Sequence, residues 1–151
     1  MRAVVQRVKD ASVTVDGKLT GKIEQGLLVY LGVVDTDNED ICARMAAKIS
    51  KLRVFRDSED KMNLSVSDIG GQILVVSQFT LYANLRKGNR PSFDGAGNPV
   101  LAEKLYESFM EYLRKDGFTV AHGQFGAHMH VVYENDGPVT LVVDSDEVIS
   151  K

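Results

Sequence analysis

The pair Asp16-Gly17 constrains this chain more than any other feature. It stands between two β-prone runs, Ala11 to Val15 and Lys18 to Ile23. A two-residue type I′ turn needs positive φ at both central positions, which Asp followed by Gly supplies, and its twist suits paired strands. The first quarter of the chain therefore commits to an antiparallel hairpin. Residues 2–8 alternate apolar and polar, and Gly26 to Val34 reads as a buried strand. An all-helical fold is excluded.

Helical periodicity enters twice. Thr36 and Glu39 have capping-box spacing, and Ile41, Met45, Ile49 and Leu52 recur on one face. Pro99, preceded by Asn98 as the cap, opens a second helix whose apolar stripe is Leu101, Leu105, Phe109 and Tyr112, with Gly117 as its stop. Between them, Leu52 to Phe55 returns to strand, Asp57 to Lys61 is a charged turn, and Gly70-Gly71 precedes a central strand from Gln72 to Phe79. The tail reads as strands at Phe118 to Ala121, Ala127 to Tyr133 and Val139 to Val143, with Asn135 to Pro138 as a turn. No repeat or linker interrupts this order, so residues 1–151 read as one α+β domain.

Residues 83–98 differ from their surroundings. They are rich in Gly, Asn and Pro, and carry Arg86, Lys87 and Arg90 against one acid, Asp94. Long loops in compact domains are often functional, and this one suits phosphate contact, although three basic residues are also ordinary in a solvated loop. The net charge of −3 offers no bulk attraction to a polyanion, so any nucleic-acid contact must rest on such a local patch. The single cysteine, Cys42, excludes an internal disulfide and fits a cytoplasmic setting. Charges interrupt the apolar start of the chain, unlike a signal peptide, and Gly26 to Val34 is too short to span a bilayer. No membrane association is expected.

Familiar hydrolytic motifs are missing. There is no Gly-x-Ser-x-Gly elbow, His-Glu-x-x-His helix or phosphate-binding glycine loop. His128 and His130 share a strand face but lack a third ligand at useful spacing, so no metal is expected. Ser77, Gln78, Phe79 and Thr80 end the central strand, where polar groups ordinarily serve strand-end hydrogen bonding. A threonine nucleophile needs a base, and none lies nearby in sequence. On base rates, Gly137-Pro138 reads as a trans peptide.

Taken together, Ser77-Gln78-Phe79-Thr80-Leu81 and Asn135-Asp136-Gly137-Pro138-Val139-Thr140 resemble the D-aminoacyl-tRNA deacylases. The likeness extends in order through Met1 to Val8, Gly26 to Val29, Lys61 to Ser65, Lys87-Gly88, Arg90 to Phe93 and Gly123 to Ala127. Two positions depart from it: His128 stands where the family usually has an acid, and Asn84-Leu85 replaces a more usual Asp-Thr.

The resemblance implies a β-rich, barrel-like fold with two main helices, assembled as a homodimer with active sites at the subunit interface. It implies hydrolysis of the ester between a D-amino acid, or glycine, and tRNA, with no cofactor and no DNA partner. Gly137 and Pro138 would form a cis element inserted into the partner's pocket, where main-chain carbonyls exclude an L side chain. Arg7 would help fix that element across the interface. Ser77, Gln78, Phe79 and Thr80 would be catalytic, their backbone amides stabilising an oxyanion while the ribose 2′-hydroxyl assists water. The absent base favours a positioning role for Thr80. Phe125, Ala127 and Met129 would line an adenosine pocket, and Arg86, Lys87 and Arg90 would meet the tRNA. Two rivals remain: a non-catalytic RNA-binding module on this fold, and a related group that removes L-alanine from tRNA. The second lacks the Ser-Gln-Phe-Thr form.

Overall fold

The computed structural model describes residues 1–149. Strand β1 (Arg2–Val15) is the organising element. Along one edge it pairs with β8 (His130–Asp144). Its other edge is shared between β3 (Gly26–Gly32), opposite residues 2–8, and β2 (Lys18–Ile23), opposite residues 11–15. Asp16 and Gly17 take φ of 50° and 76°, the values the hairpin turn requires. β3 then pairs in parallel with β6 (Gln72–Ser77), and β6 with β7 (Val120–His122), giving the order β2-β1-β3-β6-β7.

The sheet curls until its ends nearly meet. A Cβ placed on Gly21 of β2 would stand 2.3 Å from the carbonyl oxygen of His122 in β7, so only glycine permits this approach. The result is a nearly closed, barrel-like sheet.

Two apolar cores follow from alternation along the strands. Ala3, Val5, Leu27, Val29, Ile73 and Val75 face the helices and meet Met45, Ile49, Leu105, Phe109 and Leu113. Val8, Ala11, Val13, Ile23, Leu28, Leu74 and Val76 fill the inside of the curl. Each fully buried Leu, Ile or Phe here contributes about 1.5–3 kcal/mol relative to exposure.

Helix α1 (Glu39–Ser50) begins one residue after Asn38, whose Oδ1 accepts from the Ile41 N–H at 2.9 Å. The expected box of Thr36 and Glu39 is not formed. Asn38 takes the cap, and the Glu39 carboxylate instead accepts from Ser108 Oγ (2.9 Å) and Tyr112 OH (2.8 Å) of the second helix. That helix, α2 (Pro99–Lys115), starts as anticipated, with Asn98 capping Val100 N–H at 2.8 Å. Its buried stripe is rotated from the expected one: Tyr106, Met110 and Leu113 join Leu105 and Phe109, while Tyr112 sits half-buried on Glu39. A short α3 (Ser145–Val148) follows β8.

Three further expectations are revised. The strand expected at 52–55 shrinks to β4 (Phe55–Arg56), which pairs with β5 (Met62–Leu64) around a turn in which Asp57 Oδ1 accepts from the amides of Glu59 and Lys61. β6 stops at Ser77, and Phe79–Tyr82 form one 3-10 turn. Residues 135–138 are not a turn between strands, because β8 runs on through them. Its pairing with β1 slips there, so that Arg7 alone stands opposite residues 136–139.

Candidate active site

The end of β6 opens into a cavity of about 740 Å³. Ser77, Gln78 and Phe79 form one wall, and Phe125, Ala127 and Met129 another. His128, Asp35, Asn98 and Phe93 also line it. Both groups thus line one cavity, although nearly fifty residues separate them in the chain.

Parallel pairing explains why the 3-10 turn begins where it does. The Gln78 N–H donates to the Leu31 carbonyl at 2.8 Å, the last rung between β3 and β6. Beyond it the chain turns, and no side chain caps the turn's first amides. The leading N–H groups of any helical turn lack partners within it. Of the three amides expected to meet an oxyanion, that of Gln78 is thus committed to the sheet, which leaves those of Phe79 and Thr80.

Thr80 is exposed, and its Oγ1 is bonded by the side-chain Nε2 of Gln78, an amide and not a base. Among the described residues, Thr80 is outside the cavity lining. The far end of the turn is fixed by Arg2, whose Nη1 donates to the Leu81 carbonyl (2.9 Å) while its guanidinium lies 4.7 Å from the Tyr82 ring centroid.

Gly137 and Pro138 lie elsewhere. Their peptide bond is cis, against the base-rate reading and as the resemblance implies. Gly137 has φ of 139°, and a Cβ there would come within 3.0 Å of Arg7 Nη2, so this position accepts only glycine without strain. Arg7 is buried. Its Nε donates to the Asp136 carbonyl (2.9 Å) and its Nη1 to the Val54 carbonyl (2.7 Å). Arg7 thus clamps this segment within its own chain. Gly137 lines a separate hollow with Arg7, Phe55 and Arg56. Within one chain, then, Gly137-Pro138 and the β6 cavity are not brought together.

The 83–98 loop is tied at its base by two backbone bonds between Asn84 and Ser92 (2.7 and 3.0 Å). Its tip carries Arg86, Lys87 and Arg90, all exposed and away from the cavity wall. The rings of His128 and His130 meet edge-on at 5.1 Å, and among the described residues no set of three or more His, Cys, Asp or Glu converges as a metal site. Nor is any described helix long and apolar enough to cross a membrane. Asp35, Phe93 and Asn98 are among the cavity residues that sequence reasoning did not place at the site.

The profile of the family described as D-Tyr-tRNA(Tyr) deacylase matches residues 4–144. A D-aminoacyl-tRNA deacylase of Thermotoga petrophila is 54% identical, over 98% of this chain and 99% of its own length. One from Clostridioides difficile is also 54% identical, over 97% and 99%. Among solved structures, a c-Myc DNA unwinding element binding protein superposes with a TM-score of 0.89 at 44% identity, covering 95% of this chain and 98% of the other. A probable eukaryotic D-amino acid tRNA deacylase, 17% identical with a TM-score of 0.80 over 94% and 97%, shares the fold. The chain belongs to the D-Tyr-tRNA(Tyr) deacylase family.

Proposed function

We propose that this chain, as one domain, hydrolyses the ester linking a D-amino acid or glycine to tRNA and rejects L-aminoacyl-tRNA. The observation that carries the reading is the convergence of Ser77, Gln78 and Phe79 with Phe125, Ala127 and Met129 on one cavity, in a chain of this family. In this reading the terminal adenosine rests against Phe125, Ala127 and Met129, and the ester carbonyl faces the amides of Phe79 and Thr80. Water adds to the carbonyl carbon, helped by the ribose 2′-hydroxyl. The amides hold the charge that develops on the carbonyl oxygen. The bond to the ribose oxygen then breaks, and that oxygen takes the proton. Pre-oriented donors of this kind act chiefly on the transition state. Thr80 positions and does not attack.

The chiral gate is supplied by a second copy. Gly137-Pro138 does not line the β6 cavity of its own chain, and β8 leaves the apolar side chains of Val132, Tyr133, Leu141 and Val142 exposed, surface that a second copy would cover. Inserted from the partner, the carbonyls of this segment leave space for a hydrogen on the substrate's α-carbon but none for an L side chain. Arg86, Lys87 and Arg90 contact the tRNA backbone, and the enzyme acts in the cytoplasm.

Glycine has hydrogen at both positions, so a gate working by exclusion has no hold on it. A panel of glycyl-, D-alanyl- and L-alanyl-tRNA at equal enzyme concentration tests the reading. Hydrolysis of the first two with refusal of the third is the expected result. Rejection of glycine as firmly as L-alanine would show that a D side chain is read directly. A fully active monomer in sedimentation would remove the second copy from the site.

A further inference from the structure

Two aromatic rings of the β6 cavity lining take no part in either apolar core. Phe79 is 56% exposed and Phe93 36% exposed, and neither belongs to the buried clusters or the residues packed on them. Their partner is each other: the ring centroids are 5.0 Å apart with planes at 75°, the edge-to-face arrangement that an aromatic quadrupole favours. The pair thus adds to neither apolar core, and both rings line the β6 cavity.

Phe93 is held more firmly than its exposure suggests. It follows Ser92, whose N–H and carbonyl are both bonded to Asn84. Its own carbonyl accepts from Ala96 at 3.0 Å, and four residues on Gly97 N–H donates to the Val33 carbonyl at 2.8 Å. Asn98 N–H donates to Asp35 Oδ1 at 2.7 Å. A Cβ on Gly97 would lie 2.9 Å from the Val33 carbonyl oxygen, so this stretch is pressed against the end of β3. Phe79, by contrast, begins a single 3-10 turn with no side-chain cap. Its ring is the handle by which a fixed neighbour can orient the turn.

We infer that Phe93 is a positioning residue for the hydrolytic reaction: it holds the Phe79 ring, and through it the amides of Phe79 and Thr80, in register with the ester carbonyl. The inference rests on the reading of Ser77 to Thr80 as the reacting segment. It gives the base of the 83–98 loop a task distinct from that of its basic tip, which meets phosphate. An edge-to-face pair is worth enough to change a rate by about tenfold when lost.

The test compares wild type, F79A, F93A, F93L, F93Y and the double variant F79A/F93A on D-tyrosyl-tRNA, measuring kcat and KM separately and the thermal midpoint of each. F93A is expected to lower kcat about tenfold with KM little changed, and F93Y, which keeps the ring, to restore it. The double variant should be no slower than F79A, since the two rings act as one unit. Thermal midpoints should stay close to wild type. F93L serves in place of F93A if the latter fails to fold. Wild-type kcat in F93A alongside an impaired F79A would overturn the inference and leave the site reading intact. A raised KM at unchanged kcat would make Phe93 a binding surface and overturn it as well. Wild-type kcat in F79A would show that the ring orients nothing and overturn the inference, while an absence of deacylation of D-tyrosyl-tRNA by wild type would remove the site reading itself.

Discussion

Replacing Arg7 by methionine separates what holds the Gly137-Pro138 segment from what merely fills space beneath it. Methionine keeps most of the apolar stem and removes the guanidinium. The side chain is 4% exposed, and its strong contacts are the Val54 carbonyl at 2.7 Å and the Asp136 carbonyl at 2.9 Å. A hydrogen bond from a charged donor contributes about 1.5–3 kcal/mol, and Val54 is too buried for water to substitute. Asp136 is exposed and regains water, so its share is small. Releasing a buried charge offsets part of the loss. The net destabilisation is about 1–2 kcal/mol, a fall in Tm of about 2–8 °C for a chain of this size. The effect on turnover should be larger, because the segment opposite Arg7 loses its clamp. At 25 °C, with both proteins folded, we expect at least about a tenfold loss in kcat/KM on D-tyrosyl-tRNA. Thermal unfolding followed by circular dichroism and a single-turnover assay give the two numbers. An unchanged Tm would refute the clamp. A lowered Tm with full activity would refute its connection to the site.

Thr80→Ala should slow deacylation without abolishing it, since Thr80 Oγ1 is partnered by an amide and not by a base. An acyl-enzyme trapped on Thr80 would contradict this. Neutralising Arg86, Lys87 and Arg90 together should weaken tRNA binding and flatten its logarithmic salt slope by up to about 2–3, with turnover at saturation little changed. An unaltered slope would return the tip to the role of a solvated loop. Cys42 is fully buried with its Sγ 3.2 Å from the Leu105 carbonyl, and burial, reinforced by the Glu39 and Asp37 carboxylates, pushes its thiol up to about 12. The native protein should therefore resist a thiol reagent at about pH 8 under conditions that label the urea-unfolded chain completely. Stoichiometric labelling of native protein would disprove it. Asp37→Asn should lower Tm, because the Asp37 carboxylate is the buried counter-charge of the Met1 ammonium at 2.7 Å, and an unchanged Tm would make that pair energetically neutral.

Local signals were legible wherever one residue type has one mechanical use. Asp16-Gly17 declared its turn and Asn98-Pro99 its helix start, because positive φ and an unpaired first amide each admit few solutions. The reading failed where neighbours compete. Asn38 outcompeted Thr36 for the cap because it directly precedes the first helical residue. Asn135 to Pro138 looked like a turn because turn residues also serve an irregularity within a long strand, and only the partner strand distinguishes the two. Ser77 to Thr80 and Gly137-Pro138 were found as motifs through resemblance, not through chemistry visible in either stretch. Asp35, Phe93 and Asn98 were missed for a plainer reason. They come from two segments joined only by folding, and no periodicity marks a residue whose partner is an edge-on ring elsewhere in the chain.

The pairing of β1 with β8 has a consequence for how the protein is made. Arg2 and Asp144 are neighbours in the sheet although 142 positions apart. During synthesis β1 can zip with β2 and β3 almost at once. Its other edge must then wait, apolar and unpaired, while more than a hundred further residues emerge from the ribosome. At about 5–20 residues per second that exposure lasts several seconds or more. Such an edge is a template for pairing with neighbouring chains, and closing so long a loop is slow in any case. Yield in the cell should thus depend on translation speed and chaperone supply more than the finished protein's stability suggests.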